Sequence, residues 1–557
     1  MKLHSLPIQI GLTAVALAVS QAVTAGTAPY FYPLQQSAAV ASPNHLNELN
    51  SPWQTPAGFK QKNLMSLKEV EADVNQSIQR SNGLGSGASM FDMLSYDPSG
   101  RYIFIPHETQ WGAGVTRYDT VTDKSALLFA GDQGAQTTPT CDIAADNCPA
   151  WDYDFGAFDP SRWTPNGTLI LGEEWTALGR VVEILNPLAP APSRANAIAS
   201  AANEGVTWRV LDSIANTAHE GINFGVKNPQ GVIYYIDEFN SGSIYMLKLK
   251  TPGDYAAGGQ TFVLSVDAFA ATGGDPAKNY NEGPNAAATR FGPATWVPIT
   301  DADGRKLPGR VWDPFMDGPT TDPRTDPTAR GGRGAADEAG GTPYGRPEDM
   351  SIGLLPNGNE ILYVTTTSDH TVISIEQLPN NKANVRLFAS RNTPKNVGFE
   401  PTTGRLDSPD NLTIDTLGNV YIVEDSPNDS NVGGDIWFAR DMDNDGVAES
   451  LDHFLSIQVD GSEATGMVFH PTDPSRFVVA VQHPDSTDLS KVPGGFGDAV
   501  WEFDLAKVVP PSCEGPRAQW MSFDNATRQW VRACTVAADF NFVKQLEKGQ
   551  PLIPVNP

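Results

Sequence analysis

The stretch WTPNGTLILGEEW (163–175) decides the fold, because it runs from a turn through a short apolar strand to an acidic end. Pro165, Asn166 and Gly167 favour a tight turn, and Glu173 and Glu174 close the strand. The same order occurs in five further stretches: YDPSGRYIFIPHE (96–108), KNPQGVIYYIDEF (227–239), LLPNGNEILYVTTTSD (354–369), IDTLGNVYIVED (414–425) and HPTDPSRFVVAVQH (470–483). The chain therefore repeats one structural unit.

Neighbouring copies lie roughly 60 residues apart, except for a doubled interval between the third and the fourth. A strand with alternating apolar residues follows each copy, as in GRVVEILNP (179–187), and most copies have another before the turn, as in FGAFDP (155–160). Units of about four short strands predict an all-β, six-bladed β-propeller. A pair of β-sandwiches is the alternative, but sandwiches do not need six equivalent units.

The repeats divide the chain into a central domain with extensions on either side. The doubled interval holds a long inserted loop, rich in Gly, Pro, Asp and Arg, which we interpret as a cap over one propeller face. The predicted organisation is a signal peptide (1–25), an N-terminal extension (26–85), the propeller (86–505) with its insertion (about 273–342), and a C-terminal extension (506–557).

The first 25 residues predict export. Lys2 precedes a short apolar run (8–19), and Val23, Thr24 and Ala25 offer a cleavage site. A membrane anchor is the alternative, but the run is short for a bilayer span. The segment has no twin arginine, which favours the general secretion route. We expect a periplasmic or secreted protein with no membrane association after signal cleavage.

Four cysteines fit an oxidising compartment. Cys141 and Cys148 enclose a short loop, and Cys513 and Cys534 flank a C-terminal segment, so we expect two local disulfides. A zinc site is the alternative, but the spacing contains no CxxC pair and no His lies nearby.

The formal charge is −27, from 65 acidic and 38 basic residues. This charge argues against nucleic acid and anionic membrane surfaces as partners. We expect a monomer that acts on a small molecule.

Acidic residues recur at equivalent places in the units. The innermost strand of a unit is predicted to begin with Asp154, Glu220, Glu348, Asp410 or Glu463, and in the first unit with Asp92. The next strand is predicted to end with Glu108, Glu173, Glu174, Glu238, Asp369, Glu424, Asp425 or His483. Both sets of residues meet at one face of the propeller, because in an antiparallel pair the start of one strand lies at the same edge of the sheet as the end of its neighbour. Oxygen ligands in this number predict Ca²⁺, Mg²⁺ or Mn²⁺.

A second acidic pattern is DMDNDGVAESLD (441–452). Asp441, Asp443 and Asp445 alternate, Gly446 permits a sharp turn, and Asp452 takes the twelfth place. This pattern resembles an EF-hand loop and predicts a structural calcium loop, with an ordinary acidic turn as the alternative.

Several stretches, taken in order, resemble the PhoX-type secreted alkaline phosphatases: PHE (106–108), TPNGTLILGEEW (164–175), HEG (219–221), GGTPYGRPEDMSIG (340–353), SPDNLTIDTLGNVYIVED (408–425), EATGMVF (463–469) and QHP (482–484). The resemblance implies a six-bladed propeller that hydrolyses phosphomonoesters at a cluster of iron and calcium ions. By matching position it implies these metal ligands: Glu108, Glu174, Glu220, Glu348, Asp410 and Glu463, with Glu424 as a further candidate. Arg346 and Glu220 become the expected catalytic residues, with Arg346 on the substrate phosphate; a salt bridge from Arg346 to Glu348 is the alternative.

Two departures from the family pattern concern the metal. The family has a cysteine iron ligand shortly before the TPxGT segment, whereas WDYDFGAFDPSRWTPNGT (151–168) contains none. The family also usually has a twin-arginine signal, which suits a protein that loads metal before export. Both departures favour calcium or another hard cation over iron.

The sequence therefore predicts an exported, metal-dependent phosphomonoester hydrolase that acts on a small phosphorylated substrate. A calcium-dependent lactonase, which Asn411 beside Asp410 keeps open, and a non-catalytic, calcium-stabilised binding propeller are the alternatives.

Overall fold

A computed structural model describes most of the chain: residues 31–40, 45–74, 89–136, 151–175, 177–202, 205–315, 331–425, 432–486, 489, 493–507, 521–524 and 529–532. The predicted signal peptide, the four cysteines of the predicted disulfides and most of the predicted C-terminal extension lie outside these residues. None of the described helices is long and apolar enough to cross a membrane.

Short antiparallel strands make up most of the described chain, as the turn-and-strand pattern predicts. The strands are β1 (Trp53–Gln54), β2 (Gln61–Ser66), β3 (Ser95–Tyr96), β4 (Tyr102–His107), β5 (Gly114–Asp119), β6 (Lys124–Ala130), β7 (Phe158–Trp163), β8 (Leu169–Glu173), β9 (Val181–Ile184), β10 (Trp208–Val210), β11 (Ile222–Phe224), β12 (Val232–Ile236), β13 (Ile244–Leu249), β14 (Gly259–Val266), β15 (Gly292–Pro298), β16 (Pro347–Leu354), β17 (Glu360–Thr366), β18 (Thr371–Leu378), β19 (Lys382–Ser390), β20 (Pro409–Ile414), β21 (Val420–Glu424), β22 (Asp435–Arg440), β23 (Ser450–Ile457), β24 (Glu463–Phe469), β25 (Arg476–Gln482), β26 (Ala499–Asp504), β27 (Met521–Asp524) and β28 (Gln529–Arg532). The helices are α1 (His45–Asn50), α2 (Leu67–Val74), α3 (Arg194–Ala197) and α4 (Gly331–Ala339).

Consecutive strands pair into small meanders. Separate sheets have the orders β3-β4-β5-β6, β10-β9-β8-β7, β1-β23-β22-β21-β20 and β2-β26-β25-β24. A nine-stranded sheet contains β11 to β14 and β16 to β19, which β15 joins at their outer edges. The arrangement is all-β and propeller-like, with few helices.

One strand from each meander lies on the inside of the arrangement. We call β3, β7, β11, β16, β20 and β24 the first strands. Neighbouring first strands are tied by side-chain hydrogen bonds to backbone carbonyls: Ser161 Oγ to Met93 O (2.8 Å), Arg162 Nε to Ile222 O (2.9 Å), Asn223 Nδ2 to Met350 O (2.6 Å), Ser351 Oγ to Leu412 O (3.3 Å) and Thr465 Oγ1 to Phe91 O (2.8 Å). The last of these bonds joins the final meander to the first, so the first strands surround a common channel.

The hydrophobic core lies between the faces of neighbouring sheets. For example, Ile361 and Val372 of one meander pack with Ile422 and Trp437 of the next, and all four side chains are at most 1% exposed. Both faces of each sheet are therefore buried, which explains the apolar runs in the repeats.

The segment predicted as an insertion contributes to this sheet structure. Its strand β15 pairs with β14 and β19, and its helix α4 begins with Gly331 and Gly332 packed against Asn216 and Ala177. Arg333 of α4 forms a buried ion pair with Asp237, which lies directly before Glu238.

The N-terminal segment closes the last sheets from outside. Strand β2 pairs with β26, and β1 pairs with β23. Between them, Phe59 packs against Phe454, Phe477 and Phe503, with ring centroids 5.3 to 5.9 Å apart. One side chain therefore joins the N-terminal segment to two neighbouring sheets.

Replacing Phe59 with Ala should lower the free energy of unfolding by about 3–5 kcal/mol, because it opens a cavity between two sheets. Urea denaturation measures the change. Leu46→Ala is the control, since Leu46 is 72% exposed and its loss should change stability by less than about 0.5 kcal/mol. Equal stability of the two variants would contradict this role for Phe59.

Candidate metal centre

A carboxylate lies at the start of every first strand. The six residues are Asp92, Asp159, Glu220, Glu348, Asp410 and Glu463. All except Glu463 are buried, with at most 7% of the residue exposed. Three of them, Asp159, Glu348 and Asp410, lie where the pairing to the second strand shifts register. Such bulges redirect a side chain, and here they accompany carboxylates that point toward the channel.

A left-handed residue precedes five of these carboxylates by two positions. The residues and their φ angles are Met90 (56°), Ala157 (46°), Arg346 (51°), Ser408 (38°) and Gly461 (65°). A non-glycine residue in this region costs free energy, so the surrounding contacts must hold it there. The repeated turn fixes how the chain enters the first strand.

The second strand of each meander supplies one such contact. A residue one or two positions after the end of the second strand donates its N–H to a carbonyl. The carbonyl belongs to the residue two positions before the first-strand carboxylate: Glu108 to Met90 (3.0 Å), Glu174 to Ala157 (2.8 Å), Glu238 to Ala218 (3.0 Å), Thr367 to Arg346 (3.0 Å) and Asp425 to Ser408 (3.0 Å). In the last meander the ring of His483 contacts the carbonyl of Gly461 instead (2.6 Å). We call this repeated contact the clamp.

The clamp brings a second set of acids, Glu108, Glu174, Glu238 and Asp425, beside the first. Oxygens within 4.8 Å of one another define three groups: Asp92, Glu108 and Asp159; Glu220, Glu238 and Glu348; and Asp410, Asp425 and Glu463. Glu174 interacts with both Glu108 and Glu238. The ten carboxylates together are called the carboxylate ring.

Burial and mutual repulsion oppose ionisation of the carboxylate ring. Burial, followed by the charge of Glu463, raises the pKa of Glu108 to about 8, and burial with Glu238 raises the pKa of Glu348 to about 8. The same two causes, burial first, raise the pKa of further members well above the ordinary value: Asp92, Asp159, Glu174, Glu220 and Asp410.

Several ring oxygens have no protein donor. Oδ1 of Asp92, Asp159 and Asp410 is buried and accepts no hydrogen bond from the described residues. A buried acceptor without a donor is costly, and a bound cation removes that cost. The ligand atoms that the ring offers to a metal ion are almost all carboxylate oxygens, which hard divalent cations prefer. The residues present therefore fit metal ions.

Two cationic side chains border the ring. Arg346 donates from Nε to Glu238 Oε1 at 2.6 Å and lies 3.3 Å from Glu348 Oε1, and 38% of its side chain is exposed. Burial alone would lower the pKa of Arg346, but Glu238 and Glu348 raise it. His483 Nε2 lies 2.9 Å from Glu463, and this contact outweighs burial and raises the pKa of His483 to about 9.

The structure brings Glu108, Glu174, Glu220, Glu348, Asp410 and Glu463 together, as well as Arg346. It places the predicted ligand Glu424 elsewhere: Glu424 accepts hydrogen bonds from the backbone of Asp407 and Asp435 and from Trp437 Nε1. Because β21 ends at Glu424 and the following residue enters the clamp, Asp425 lies in the ring instead. Glu173 likewise pairs with Arg180 rather than joining the ring, and Asp369 pairs with Arg290.

The expected position of Asp154 in the first-strand set is wrong. Asp154 accepts backbone hydrogen bonds from Gly112, Gln133, Ala135 and Phe155, so it organises a loop. Asp159 takes the place in the ring. The sequence contains a signal for Asp159, which lies two residues before Ser161 and four before Trp163. Glu348 has the same spacing to Met350 and Ile352 in its own strand.

The predicted calcium loop is also arranged differently. Ligand oxygens of Asp441, Asp443, Asp445 and Glu449 lie within 4.8 Å of one another. Asp452 is paired with Arg440 inside the sheet, because it lies on β23 and faces β22. Backbone N–H groups of Asp445 and Gly446 already bond to Asp441, as in an ordinary acidic turn.

Asp159→Asn should reduce bound metal, because it removes a ring carboxylate, and should raise the melting temperature of metal-free protein by relieving repulsion. Asp154→Asn is the matched control: it should keep the metal but lose about 1–3 kcal/mol of stability, since a buried acceptor of four N–H groups changes. Elemental analysis and thermal unfolding measure both. Full metal content in Asp159→Asn together with metal loss in Asp154→Asn would contradict the assignment.

Metal-free protein should become less stable as the pH rises from about 5 to 8. The pKa of Glu108 and of Glu348 is about 8 in the folded state, above that of an unfolded Glu, so the folded state holds more protons across this window. Unfolding followed by circular dichroism in chelator tests the slope. Calcium should restore stability at pH 8, and a metal-free melting temperature that rises with pH would contradict the prediction.

The fold is similar to that of a solved structure, Pseudomonas fluorescens PhoX in complex with vanadate, a transition state analogue. The two chains share 14% identity and a TM-score of 0.51, over 86% of this chain and 98% of that one. The PQQ-bound aldose sugar dehydrogenase of Streptomyces coelicolor matches at 13% identity and a TM-score of 0.34, over 81% and 99%. The periplasmic gluconolactonase of Pseudomonas aeruginosa matches at 10% and 0.32, over 70% and 81%.

No curated protein matches the chain significantly. The family profile "Alkaline phosphatase PhoX" matches residues 203–485, which is half of the 557-residue chain and includes six of the ten ring carboxylates. The resemblance noted in the sequence is thereby confirmed. The chain belongs to the PhoX alkaline phosphatase family and is a phosphatase.

Proposed function

We propose that the protein is an exported phosphomonoester hydrolase whose carboxylate ring holds the metal ions required for activity. The observation that carries this proposal is the ring itself: ten carboxylates converge, and three buried oxygens in it have no donor. A structural cluster of this size without cations would be strongly self-repelling. The vanadate complex of the similar Pseudomonas fluorescens PhoX supports phosphate chemistry in this fold.

Calcium is the cation we propose. The ring supplies oxygen ligands, and among the described residues beside it only His483 offers ring nitrogens, of which Nδ1 already contacts Gly461 O and Nε2 contacts Glu463. An all-oxygen site of irregular geometry suits Ca²⁺ better than a transition metal. When bound, such ions neutralise phosphate oxygens and stabilise the charge of the transition state.

Arg346 is positioned to bind the substrate phosphate. Its left-handed backbone is held by the clamp from Thr367, and its guanidinium is fixed on one side by Glu238 and Glu348. The exposed part of the side chain leaves N–H groups available on the other side, and a guanidinium can bind two phosphate oxygens at once.

Glu220 is the residue we propose to move a proton. It is 2% exposed, and in the metal-free protein burial, followed by the charge of Glu348, raises its pKa well above the ordinary value. A carboxyl group with a raised pKa can hold a proton near neutral pH and exchange it with a reacting oxygen. The neighbouring His219 is buried and its pKa is lowered to about 3, so it stays neutral.

The finer architecture also belongs to the proposal. Six first strands, six first-strand carboxylates and the repeated clamp support six blades around the channel. We propose a monomer located in the periplasm or outside the cell, as its acidic composition and N-terminal sequence predict.

Hydrolysis of p-nitrophenyl phosphate by calcium-loaded protein tests the proposal. We expect activity that chelation abolishes and calcium restores. Arg346→Gln should raise KM for the phosphomonoester about tenfold or more, and Glu220→Gln should lower kcat at least a hundredfold, with folding checked by circular dichroism. Arg305→Gln is the control, because Arg305 is 75% exposed and lies outside the ring.

A lactone assay on the same preparations separates the alternatives. Turnover of a lactone but not of the phosphomonoester would contradict the proposal in favour of a lactonase. Calcium-dependent stability without turnover of either compound would contradict it in favour of a binding protein.

A further inference from the structure

The end of the channel opposite the carboxylate ring opens into a second cavity. Its volume is about 420 Å³, which lies within the range of small-molecule sites. No step of the proposed phosphatase chemistry uses this cavity.

The cavity and the carboxylate ring belong to the same channel. On five first strands, the residues three and four positions after the carboxylate line the cavity: Ser95 and Tyr96, Arg162 and Trp163, Asn223 and Phe224, Ser351 and Ile352, and Thr413 and Ile414. Strand β24 contributes Val468 and Phe469. Three residues along a strand span about 10 Å, so the first strands separate the two sites by that distance.

The described lining of this cavity is almost uncharged, in contrast to the carboxylate ring. The chain contains 65 Asp and Glu residues, yet none of the described residues that line the cavity is acidic. Arg162 and His470 are the basic residues among the described lining, and burial lowers the pKa of His470, so Arg162 is the cation of the cavity. A cavity without carboxylates in so acidic a protein favours an anionic occupant.

Arg162 crosses the channel from β7. Its Nε donates to the carbonyl of Ile222 on β11 at 2.9 Å, and its Nη2 lies 3.6 Å from Asp349 on β16. Asp349 does not line the cavity, and it accepts backbone hydrogen bonds from Met350 and Leu412. Within the described chain the Nε bond is the one hydrogen bond of the Arg162 side chain, so the N–H groups of this cavity-lining residue that do not face Asp349 make no hydrogen bond there.

Aromatic side chains form part of the wall of this cavity. Tyr96, Trp163, Phe224 and Phe469 all line the cavity. Each contacts another ring, with centroids 5.1 to 5.6 Å apart: Tyr96 contacts His470, which also lines the cavity, and the other three contact Phe104, Tyr255 and Phe477 outside it. The wall is therefore preformed and suits a flat, apolar body.

We propose that this cavity is a second ligand site, which binds a small organic monoanion with an aromatic or short aliphatic body. The carboxylate or sulfonate of the ligand bonds to the guanidinium of Arg162, and its apolar body packs against the aromatic wall. The site is distinct from the carboxylate ring, which repels anions when metal is absent.

Calorimetric titration of calcium-loaded, full-length protein with indole-3-acetate and with tryptophol tests the proposal. The two compounds share an indole ring and differ in the charge of the side chain. We expect indole-3-acetate to bind roughly tenfold more tightly, the usual value of a charge-assisted hydrogen bond. Arg162→Met should bring the two affinities within about twofold of each other.

A cavity-filling variant keeps the test decisive if Arg162→Met does not fold. Val226 lines the cavity, and Val226→Trp should abolish binding of both compounds while hydrolysis of p-nitrophenyl phosphate persists. Val121→Trp is the matched control, since Val121 is 72% exposed and lies outside the cavity.

The proposal is overturned if neither compound binds at millimolar concentration, if their affinities are equal, or if Val226→Trp binds indole-3-acetate like the wild type. Absence of phosphatase activity would overturn the proposed function but not this site, because binding is measured independently of turnover.

Discussion

Ten carboxylates share one end of the central channel, and their mutual repulsion in a buried site is the constraint on which the rest of the structure depends. Burial and neighbouring charges raise the pKa of Glu108 and Glu348 to about 8. Such an arrangement costs free energy in the empty protein, and metal ions offset that cost. The surrounding scaffold must therefore be rigid enough to hold the ring without them.

The clamp contributes to that rigidity. In five meanders an N–H after the second strand bonds to a carbonyl in the turn before the first-strand carboxylate, and in four of these five the residue that carries the carbonyl has a left-handed backbone. One local device thus places two acids side by side, one from each strand. The fourth meander departs from this pattern, because Thr367 rather than an acidic residue donates the N–H after the second strand. The residue with the left-handed backbone there is Arg346. The departure places an arginine beside Glu238 and Glu348.

The first strands give the channel two chemically opposite ends. Carboxylates occupy their beginnings, whereas an arginine and aromatic rings occupy the positions three and four residues further on. Arg162 lies on β7 and contacts two further first strands, through Ile222 of β11 and Asp349 of β16. The same strands carry the carboxylates and the residues of the cavity, so a change of register at one end of a strand would move side chains at its other end. The bulges near Asp159, Glu348 and Asp410 are such changes of register.

The sequence by itself determined the all-β repeat, the family, and the meeting of Glu108, Glu220 and Asp410 at one edge. These features are local, because turn residues and strand length decide where each strand begins and ends. Only the tertiary structure decided that Asp159 rather than Asp154 joins the ring, that Asp425 replaces Glu424, and that Glu449 rather than Asp452 lies with the acidic turn. The physical reason is that a bulge or a distant partner such as Arg440 changes the direction of a side chain without changing the sequence pattern around it.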